Sequence, residues 1–199
     1  MIWFSSDFHF SHKNIAGPKV SKWKEGFRTF DSIQDMNDDI INNINAYVKH
    51  DDTLYFLGDF AFGDYKKIPE YRNRIVCQNI HLCMGNHDEG YGNDNKDITI
   101  FSDLFSSINN IIKIRINGQD YFLSHYAHRI WPASHKGVIH LYGHSHDSID
   151  DYGKSMDVGI DVAYRLFGKY RPFSITEIID IMKKKDIGVL DHHVMKNPQ

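Results

Sequence analysis

The sequence contains little cysteine, no large excess of charge of either sign and no long apolar run. Its 199 residues include two cysteines, Cys77 and Cys83, so a disulfide framework is disfavoured and reduced thiols in a cytoplasmic protein are favoured. The formal net charge of -3 arises from 23 basic and 26 acidic residues, which are well mixed and create no general attraction for duplex nucleic acid. No apolar run approaches the roughly 20 residues that cross a bilayer. We therefore expect a cytoplasmic protein that binds neither membranes nor long duplex nucleic acid.

The length and composition indicate one domain. A chain of 199 residues with 41% hydrophobic residues is long enough to bury one sizeable core. We place this domain at residues 1–182 and a polar C-terminal tail at residues 183–199. Residues 17–29 and 89–97 are weakly patterned, and we expect them to form surface loops near a site.

Short apolar runs and helical patterns alternate along the chain. Runs of the length and composition typical of buried strands occur at residues 1–4, 53–57, 80–84, 121–124 and 138–142. Residues 31–49 have helical spacing with Asp31 or Ser32 as the N-cap, and Ser174 with Glu177 predicts a capping box for a later helix. The segment "IKIRINGQDYFLS" predicts a hairpin that turns at "NGQD". This order predicts a mixed α/β fold in which helices cover the sheets.

Side chains able to bind metal ions follow each of the five apolar runs. They are Asp7 and His9 after the first run, Asp59 after the second, Asn86, His87 and Asp88 after the third, His125 after the fourth, and His144 and His146 after the fifth. Loops at the carboxyl ends of strands in an α/β sheet meet in one crevice, so these distant residues can become neighbours. Residues two apart in an extended segment also point to the same side.

The donor set restricts the kind of metal site. Carboxylate, imidazole and amide donors without thiolate suit Mn, Fe, Zn or Ni better than a cysteine-rich structural zinc site or an all-oxygen calcium site. Seven such donors are too many for one ion. Two ions roughly 3.5–4 Å apart that share one carboxylate would use all seven, and this arrangement clamps the oxygens of an in-line phosphoryl displacement. Two divalent cations would also attract anions to a globally acidic protein.

The ordered motifs D-x-H, GD, GNHD, H and GHxH, each behind an apolar run, resemble those of the calcineurin-like metallophosphoesterase superfamily, and in particular its small prokaryotic and phage members. The resemblance extends from Met1 to about Met182. It implies the metallo-dependent phosphatase fold, a four-layer α-β-β-α sandwich with two mixed β-sheets flanked by helices. It also implies two divalent metal ions, with manganese favoured and iron, zinc or nickel as alternatives.

The resemblance further implies a role for each site residue. One metal ion would be held by Asp7, His9 and His146, the other by Asn86, His125 and His144, and both by Asp59. His87 would be the general acid, and Asp88 would orient its neighbours. The implied reaction is hydrolysis of a phosphomonoester or phosphodiester, in a small phosphorylated or nucleotide-type substrate, by a metal-bridging hydroxide.

The chain departs from the pattern of the protein Ser/Thr phosphatases in that family. Those enzymes carry an Asp-Arg pair shortly after the GD motif, where this sequence has Phe62 and Gly63. A protein phosphatase is therefore disfavoured, and the residue that orients His87 is left open, with Asp64 as a candidate.

Several alternatives remain at this point. A catalytically silent scaffold would have been free to lose the ligands, and a nuclease is weakened by the lack of a basic groove. The choice between monoester and diester, and the oligomeric state, stay open. His140 is interpreted as structural, and His128 and Asp147 as partners of the ligands. Aromatic residues beside the ligands are core residues by default and, as an alternative, a stacking wall for a nucleobase; they are Phe8, Phe10, Tyr126, Trp131, Tyr142 and Tyr164.

Overall fold

The computed structural model describes residues 1–90 and 97–190. Within this part of the chain the strands are β1 Ile2–Ser5, β2 Thr53–Phe56, β3 Asn79–Cys83, β4 Ser107–Asn109, β5 Ile111–Ile116, β6 Gln119–Ser124, β7 Ile139–Tyr142, β8 Ser155–Asp157 and β9 Phe173–Ser174. The α-helices are α1 Lys13–Ala16, α2 Ile33–Tyr47, α3 Ile68–Arg74, α4 Ile160–Phe167 and α5 Ile175–Lys183. Short 3-10 helices occupy Tyr65–Lys67, Ile98–Leu104 and Ser134–Lys136.

The strands form two mixed sheets. The first has the order β4-β3-β2-β1-β9, in which β1 to β4 pair in parallel and β9 is antiparallel to β1. The second has the order β5-β6-β7-β8, in which β5 and β6 are antiparallel and the other pairs are parallel. Helices flank the sheets, so the predicted mixed α/β architecture of the metallo-dependent phosphatase fold is confirmed.

Both faces of the first sheet are buried, which explains the continuous apolar runs. Successive residues of a strand point to opposite faces. Trp3 accordingly joins the core under the helices that pack on the first sheet, whereas Phe4 joins the core between the two sheets. Ile40 and Ile44 of α2 are fully buried in the former core.

The predicted helix and hairpin signals are present. Ser32 is the N-cap of α2, and its side chain accepts a hydrogen bond from the backbone N of Asp35 at 3.0 Å. Ser174 and Glu177 form the predicted capping box of α5. The hairpin turn is shorter than predicted: Asn117 and Gly118 alone make it, with φ of 50° and 83°, and Gln119 already belongs to β6. Positive φ at both central residues gives the twist that flanking strands require.

Two short strands were not predicted, and two predicted segments lie partly outside the described residues. The apolar-run pattern does not indicate β4 or β8, because three-residue strands are too short to show it. The predicted loop at 89–97 and tail at 183–199 fall partly outside the described residues, which omit 91–96 and 191–199. Across residues 1–90 and 97–190, no helix combines the length and apolar character needed to cross a membrane.

Candidate metal centre

The seven candidate ligands and His87 converge at the carboxyl ends of five strands. Asp7 and His9 follow β1, Asp59 follows β2, Asn86 and His87 follow β3, His125 follows β6, and His144 and His146 follow β7. Three overlapping groups of donor atoms result, in each of which all donor atoms lie within 4.8 Å of one another: Asp7, His9 and His146; His9, Asp59 and His87; and Asp59, His125 and His144.

The first ligand cluster consists of Asp7, His9 and His146. The Nε2 atoms of His9 and His146 lie 3.1 Å apart, and they lie 3.8 Å and 3.9 Å from Oδ1 of Asp7. Two donors at bond lengths of about 2.1 Å from one ion lie roughly 3–3.6 Å apart in tetrahedral or octahedral geometry. The two imidazoles therefore have the separation of ligands to one ion. The distances from the Asp7 carboxylate to the imidazoles are slightly longer than this range.

The second ligand cluster consists of Asn86, His125 and His144. Nε2 of His125 lies 3.1 Å from Oδ1 of Asn86, and the rings of His125 and His144 have centroids 5.1 Å apart. Asp59 lies between the two clusters. Its Oδ2 is 3.5 Å from Nε2 of His9, and its Oδ1 is 3.6 Å from Nε2 of His125.

The hydrogen bonds around the imidazoles show that lone pairs face each other inside the centre. Nδ1 of His125 is 2.7 Å from the carbonyl oxygen of Leu57, which can only accept, so this nitrogen carries the proton. Nε2 of His125 then presents a lone pair to the oxygens of Asn86 and Asp59, which are also acceptors. Facing acceptors repel unless a proton or a metal cation lies between them, so the donor set fits a metal ion that displaces the proton.

Backbone conformation at the ligands is unusual. Five of them have φ in the left-handed region: Asp7 at 61°, His9 at 51°, Asp59 at 61°, His144 at 66° and His146 at 46°. Non-glycine residues rarely adopt this region, and such strain concentrates at functional sites. The left-handed conformation lets candidate ligands that are close in sequence direct their side chains into the same metal centre.

Glycines allow the ligand loops to approach one another. A Cβ on Gly143 would lie 2.7 Å from Oδ2 of Asp7, and a Cβ on Gly85 would lie 2.6 Å from the backbone N of Asp59. Both distances are shorter than real Cβ contacts. A side chain at either position would therefore push a candidate ligand out of place.

Asp88 ties the second and third ligand loops together. Its carboxylate accepts hydrogen bonds from the backbone N of Asp59 at 2.7 Å, Phe60 at 3.1 Å and Gly85 at 2.9 Å. Burial raises its pKa to about 6 even though these bonds favour the charged form. Asp88 thus orients its neighbours, in agreement with the sequence-based expectation.

Comparison with known proteins identifies the family. Residues 1–193 match the family model of the calcineurin-like phosphoesterases. The chain belongs to this family. Hydrolysis of phosphoesters with the help of metal ions is the general chemistry of the family, whose members typically use two ions.

Two related proteins and one solved structure are similar over most of the chain. An uncharacterized protein of Methanocaldococcus jannaschii is 28% identical over 192 residues, which covers 92% of both chains. The Gene 66 protein of Mycobacterium phage L5 is 25% identical over 194 residues, which covers 84% of this chain and 89% of the phage protein. The crystal structure of a protein of unknown function from Aquifex aeolicus has a TM-score of 0.63 at 24% identity, covers 91% of this chain and 98% of its own, and shows the same fold.

Within this calcineurin-like centre, two residues that the sequence analysis did not identify support His146, namely the buried Arg28 and the half-buried Asp161. Oδ2 of Asp161 accepts a hydrogen bond from Nδ1 of His146 at 2.7 Å. Arg28 binds the same carboxylate through Nε at 2.8 Å and Nη2 at 3.0 Å, and it also donates to the backbone oxygen of Asp7 at 2.6 Å. The expectation that 17–29 lies near the site is therefore met, because Arg28 comes from this segment.

The expected roles of Asp147 and His128 are wrong. Asp147 forms a surface ion pair with Arg165 and does not support the adjacent His146, whose partner is Asp161. His128 donates its backbone N–H to Nε2 of His140 at 3.0 Å. His140 also bonds the carbonyl oxygen of Phe122 through Nδ1 at 3.1 Å and is fully buried, as expected of a structural residue.

His87 contacts Asp59 and Phe62. Its backbone N donates to Oδ1 of Asp59 at 2.9 Å, and its Nε2 lies 3.9 Å from Oδ2 of the same residue. The ring meets Phe62 edge-on at a centroid distance of 4.9 Å. The carboxylate of Asp64 instead accepts from the backbone N of Lys66 at 3.0 Å and caps a 3-10 helix.

The predicted stacking wall is mostly core. Phe8, Phe10, Trp131 and Tyr142 are buried, and Tyr164 is exposed but stacks on Tyr170 at 4.3 Å. Tyr126 alone among the six is both exposed and beside ligands, with its ring 4.5 Å from that of His144. The exposed aromatic residues next to His87 and His12, Phe62 and Trp23, were not in the predicted set.

Proposed function

We propose that the protein is a dinuclear metal-dependent phosphoesterase that hydrolyses a phosphomonoester or phosphodiester in a small phosphorylated or nucleotide-type substrate. The observation that carries this proposal is the position of Asp59. Each of its carboxylate oxygens faces a different ligand cluster, at 3.5 Å from His9 and 3.6 Å from His125. A carboxylate in this position can bridge two ions that share one substrate.

The site residues would have two roles, metal binding and proton donation. Asp7, His9 and His146 would hold one ion, Asn86, His125 and His144 the other, and Asp59 both. When bound, two divalent ions make water nucleophilic near neutral pH and neutralise charge on the phosphoryl group. His87 projects its imidazole beside Asp59 and would donate a proton to the leaving oxygen.

Manganese is the proposed metal. The proposed ligands are carboxylate, imidazole and amide groups, which suit manganese, and iron, zinc and nickel are the alternatives. The two described cysteines are free and buried, which supports a reducing compartment such as the cytoplasm.

Metal analysis and one variant test the dinuclear arrangement. Protein stripped with a chelator and reloaded with manganese should bind two ions per chain. Asp59→Asn should bind fewer and lose turnover, whereas Asp120→Asn, on the exposed face of β6, should match the parent protein. A parent protein that saturates at one ion, or an active Asp59→Asn variant, would contradict the proposal.

A substrate screen tests the reaction itself. The manganese-loaded protein should be compared on aryl phosphomonoesters, aryl phosphodiesters, cyclic nucleotides and short oligonucleotides. Turnover that disappears with Asp59→Asn supports the proposal and separates monoester from diester hydrolysis. Two bound ions without turnover on any of these substrates would favour the scaffold.

A further inference from the structure

Aromatic rings form a continuous row from His87 to the protein surface. The Phe62 ring meets His87 at 4.9 Å and an interplanar angle of 77°, and it stacks on His12 at 4.0 Å and 19°. His12 in turn meets Trp23 edge-on at 5.4 Å and 89°. We call Phe62, His12 and Trp23 the ring row.

The outer members of the ring row are open to solvent. Phe62 is 39% exposed and Trp23 is 47% exposed, whereas His12 between them is 6% exposed. Since His12 covers one side of Phe62, the exposed area of Phe62 lies away from His12. A single exposed aromatic residue is ordinary. Here one of them, Phe62, meets the candidate proton donor directly, and the other, Trp23, is linked to it through His12. This is the side of the centre that the leaving group would occupy.

We propose that the ring row stacks the nucleobase of a nucleotide-type phosphoester whose phosphate lies between the two ligand clusters. This inference rests on the proposed phosphoesterase activity and names its substrate class. Aromatic side chains stack on any base, because every base presents a π-face, and such stacking is worth roughly 1–3 kcal/mol per base. An alkyl leaving group would gain much less from a flat aromatic surface.

The charges around Trp23 fit a nucleotide. Lys22 and Lys24 flank Trp23 and are exposed, and the exposed Glu25 leaves these four residues with one net positive charge. The surface next to the ring row therefore favours the approach of an anionic ligand, whose phosphate would then bind between the two ligand clusters, on a chain whose net charge is -3.

A pair of probes isolates the contribution of the base. Adenosine 5′-monophosphate and ribose 5-phosphate share the phosphate and the sugar and differ in the base. Trp3 and Trp131 are 7% and 4% exposed, so Trp23 is the tryptophan that a ligand can reach. In manganese-loaded protein, the adenine nucleotide should change tryptophan emission and bind about tenfold or more tightly than ribose 5-phosphate. Trp23→Phe should abolish the emission change.

Binding by calorimetry tests the two exposed rings. Phe62→Leu and Trp23→Leu should each lower the affinity for the adenine nucleotide by about tenfold, since each removes one stacking ring. The affinity for ribose 5-phosphate should not change. Phe167→Leu is the matched control, because Phe167 is 38% exposed and contacts Arg171 and Phe173 instead of the centre. Equal affinity for the two probes in the parent protein, or equal effects of the Phe62 and Phe167 variants, would overturn the proposal.

Failure of this inference can be told apart from failure of the proposed activity. Base-dependent binding without turnover on any phosphoester would support the ring row and reject the esterase. The opposite result is turnover that Phe62→Leu and Phe167→Leu affect equally, together with equal affinity for the two probes. It would reject base stacking on the ring row and leave the proposed phosphoesterase activity intact.

Discussion

Nδ1 of His146 donates a hydrogen bond to Oδ2 of Asp161 at 2.7 Å, and this contact connects a candidate metal ligand to an ion pair whose arginine, Arg28, is buried. Arg28, which is 3% exposed, holds the same carboxylate through two nitrogens. Burial alone would raise the pKa of Asp161, but the charge of Arg28 and the hydrogen bonds lower it well below its usual range. An ionised Asp161 keeps the proton on Nδ1, so a metal ion that displaces the proton of Nε2 meets a lone pair directed into the centre.

We expect Asp161→Asn to weaken metal binding and stability together. Loss of the carboxylate that orients a metal-binding histidine typically reduces metal affinity about 10- to 100-fold. Arg28 would keep its charge in a buried position, and the loss of its carboxylate partner should cost at most about 3–5 kcal/mol in the free energy of unfolding, the value for a fully buried pair. Titration calorimetry with manganese and urea unfolding of the metal-free protein measure the two effects.

Asp147→Asn provides the matched control for that variant. Asp147 directly follows His146 in sequence, and its partner Arg165 has a side chain that is 56% exposed. Surface ion pairs contribute about 0–1 kcal/mol, so this variant should unfold close to the parent protein and bind metal normally. Similar losses in the two variants would show that the Asp161 contact has no special role.

The parts of the centre that follow strands could be predicted from the sequence. β1 and β2 pack against a core on each face and therefore appear as apolar runs, which fixes where each strand ends. Because parallel strands bring their carboxyl ends to one edge, the sequence predicts that Asp7 and Asp59 lie close together. Their observed proximity follows from topology.

Arg28 and Asp161 could not be found in this way. They lie 133 residues apart, and neither follows an apolar run that predicts a strand end. Their pairing depends on how 17–29 folds over β1 and on the position of α4. The sequence signal that was available, Asp147 next to a predicted ligand, led to the wrong carboxylate. Neighbours in sequence need not direct their side chains to the same place where the backbone is left-handed, and φ of Asp147 is 66°.

Metal binding should release protons from the metal-free protein. Burial raises the pKa of Asp59 to about 7. Burial lowers the pKa of His146, but the hydrogen bond to Asp161 and the charge of Asp7 outweigh this effect and raise it to about 9. Both groups therefore hold protons near pH 7 that a metal ion must displace. We expect about one to two protons released per chain, measured by calorimetry in buffers of different ionisation enthalpy.

The direction of the pH dependence follows from these raised values. As pH rises from 6 to 9 the metal-free centre loses the competing protons, so manganese affinity should increase across that range. His9 does not add to the release, because burial and the charges of its neighbours lower its pKa. Binding enthalpies that are the same in all buffers would contradict proton displacement.

Gly85→Ala should disrupt the bridge position. The new Cβ would lie 2.6 Å from the backbone N of Asp59 and would also collide with its Oδ1, so the carboxylate between the clusters must move. We expect loss of at least one bound ion in metal analysis. Gly26→Ala is the comparison, because its Cβ would meet nothing within 4 Å and its φ of 76° imposes only the cost of a left-handed alanine, about 1–2 kcal/mol. If Gly85→Ala binds two ions normally, the close approach of Gly85 to Asp59 is not needed for metal binding.

His87→Ala should separate proton donation from metal binding. His87 is assigned no ion, so the variant should keep two ions per chain, while the rate should fall by about 10²- to 10⁴-fold, the usual contribution of a general acid. His50→Ala is the control, since the His50 side chain is 68% exposed and pairs with Asp51.

The size of the loss should depend on the leaving group. An alkoxide needs a proton as it departs, whereas p-nitrophenolate is stable without one. The His87→Ala variant should therefore be impaired far more on alkyl phosphoesters than on p-nitrophenyl phosphoesters, a difference that a merely structural role would not produce. Burial and the charges of His125 and His144 lower the pKa of His87, and a bound phosphate anion acts in the opposite direction by favouring the protonated imidazole. Equal rate losses on both substrate classes would show that His87 does not supply the proton.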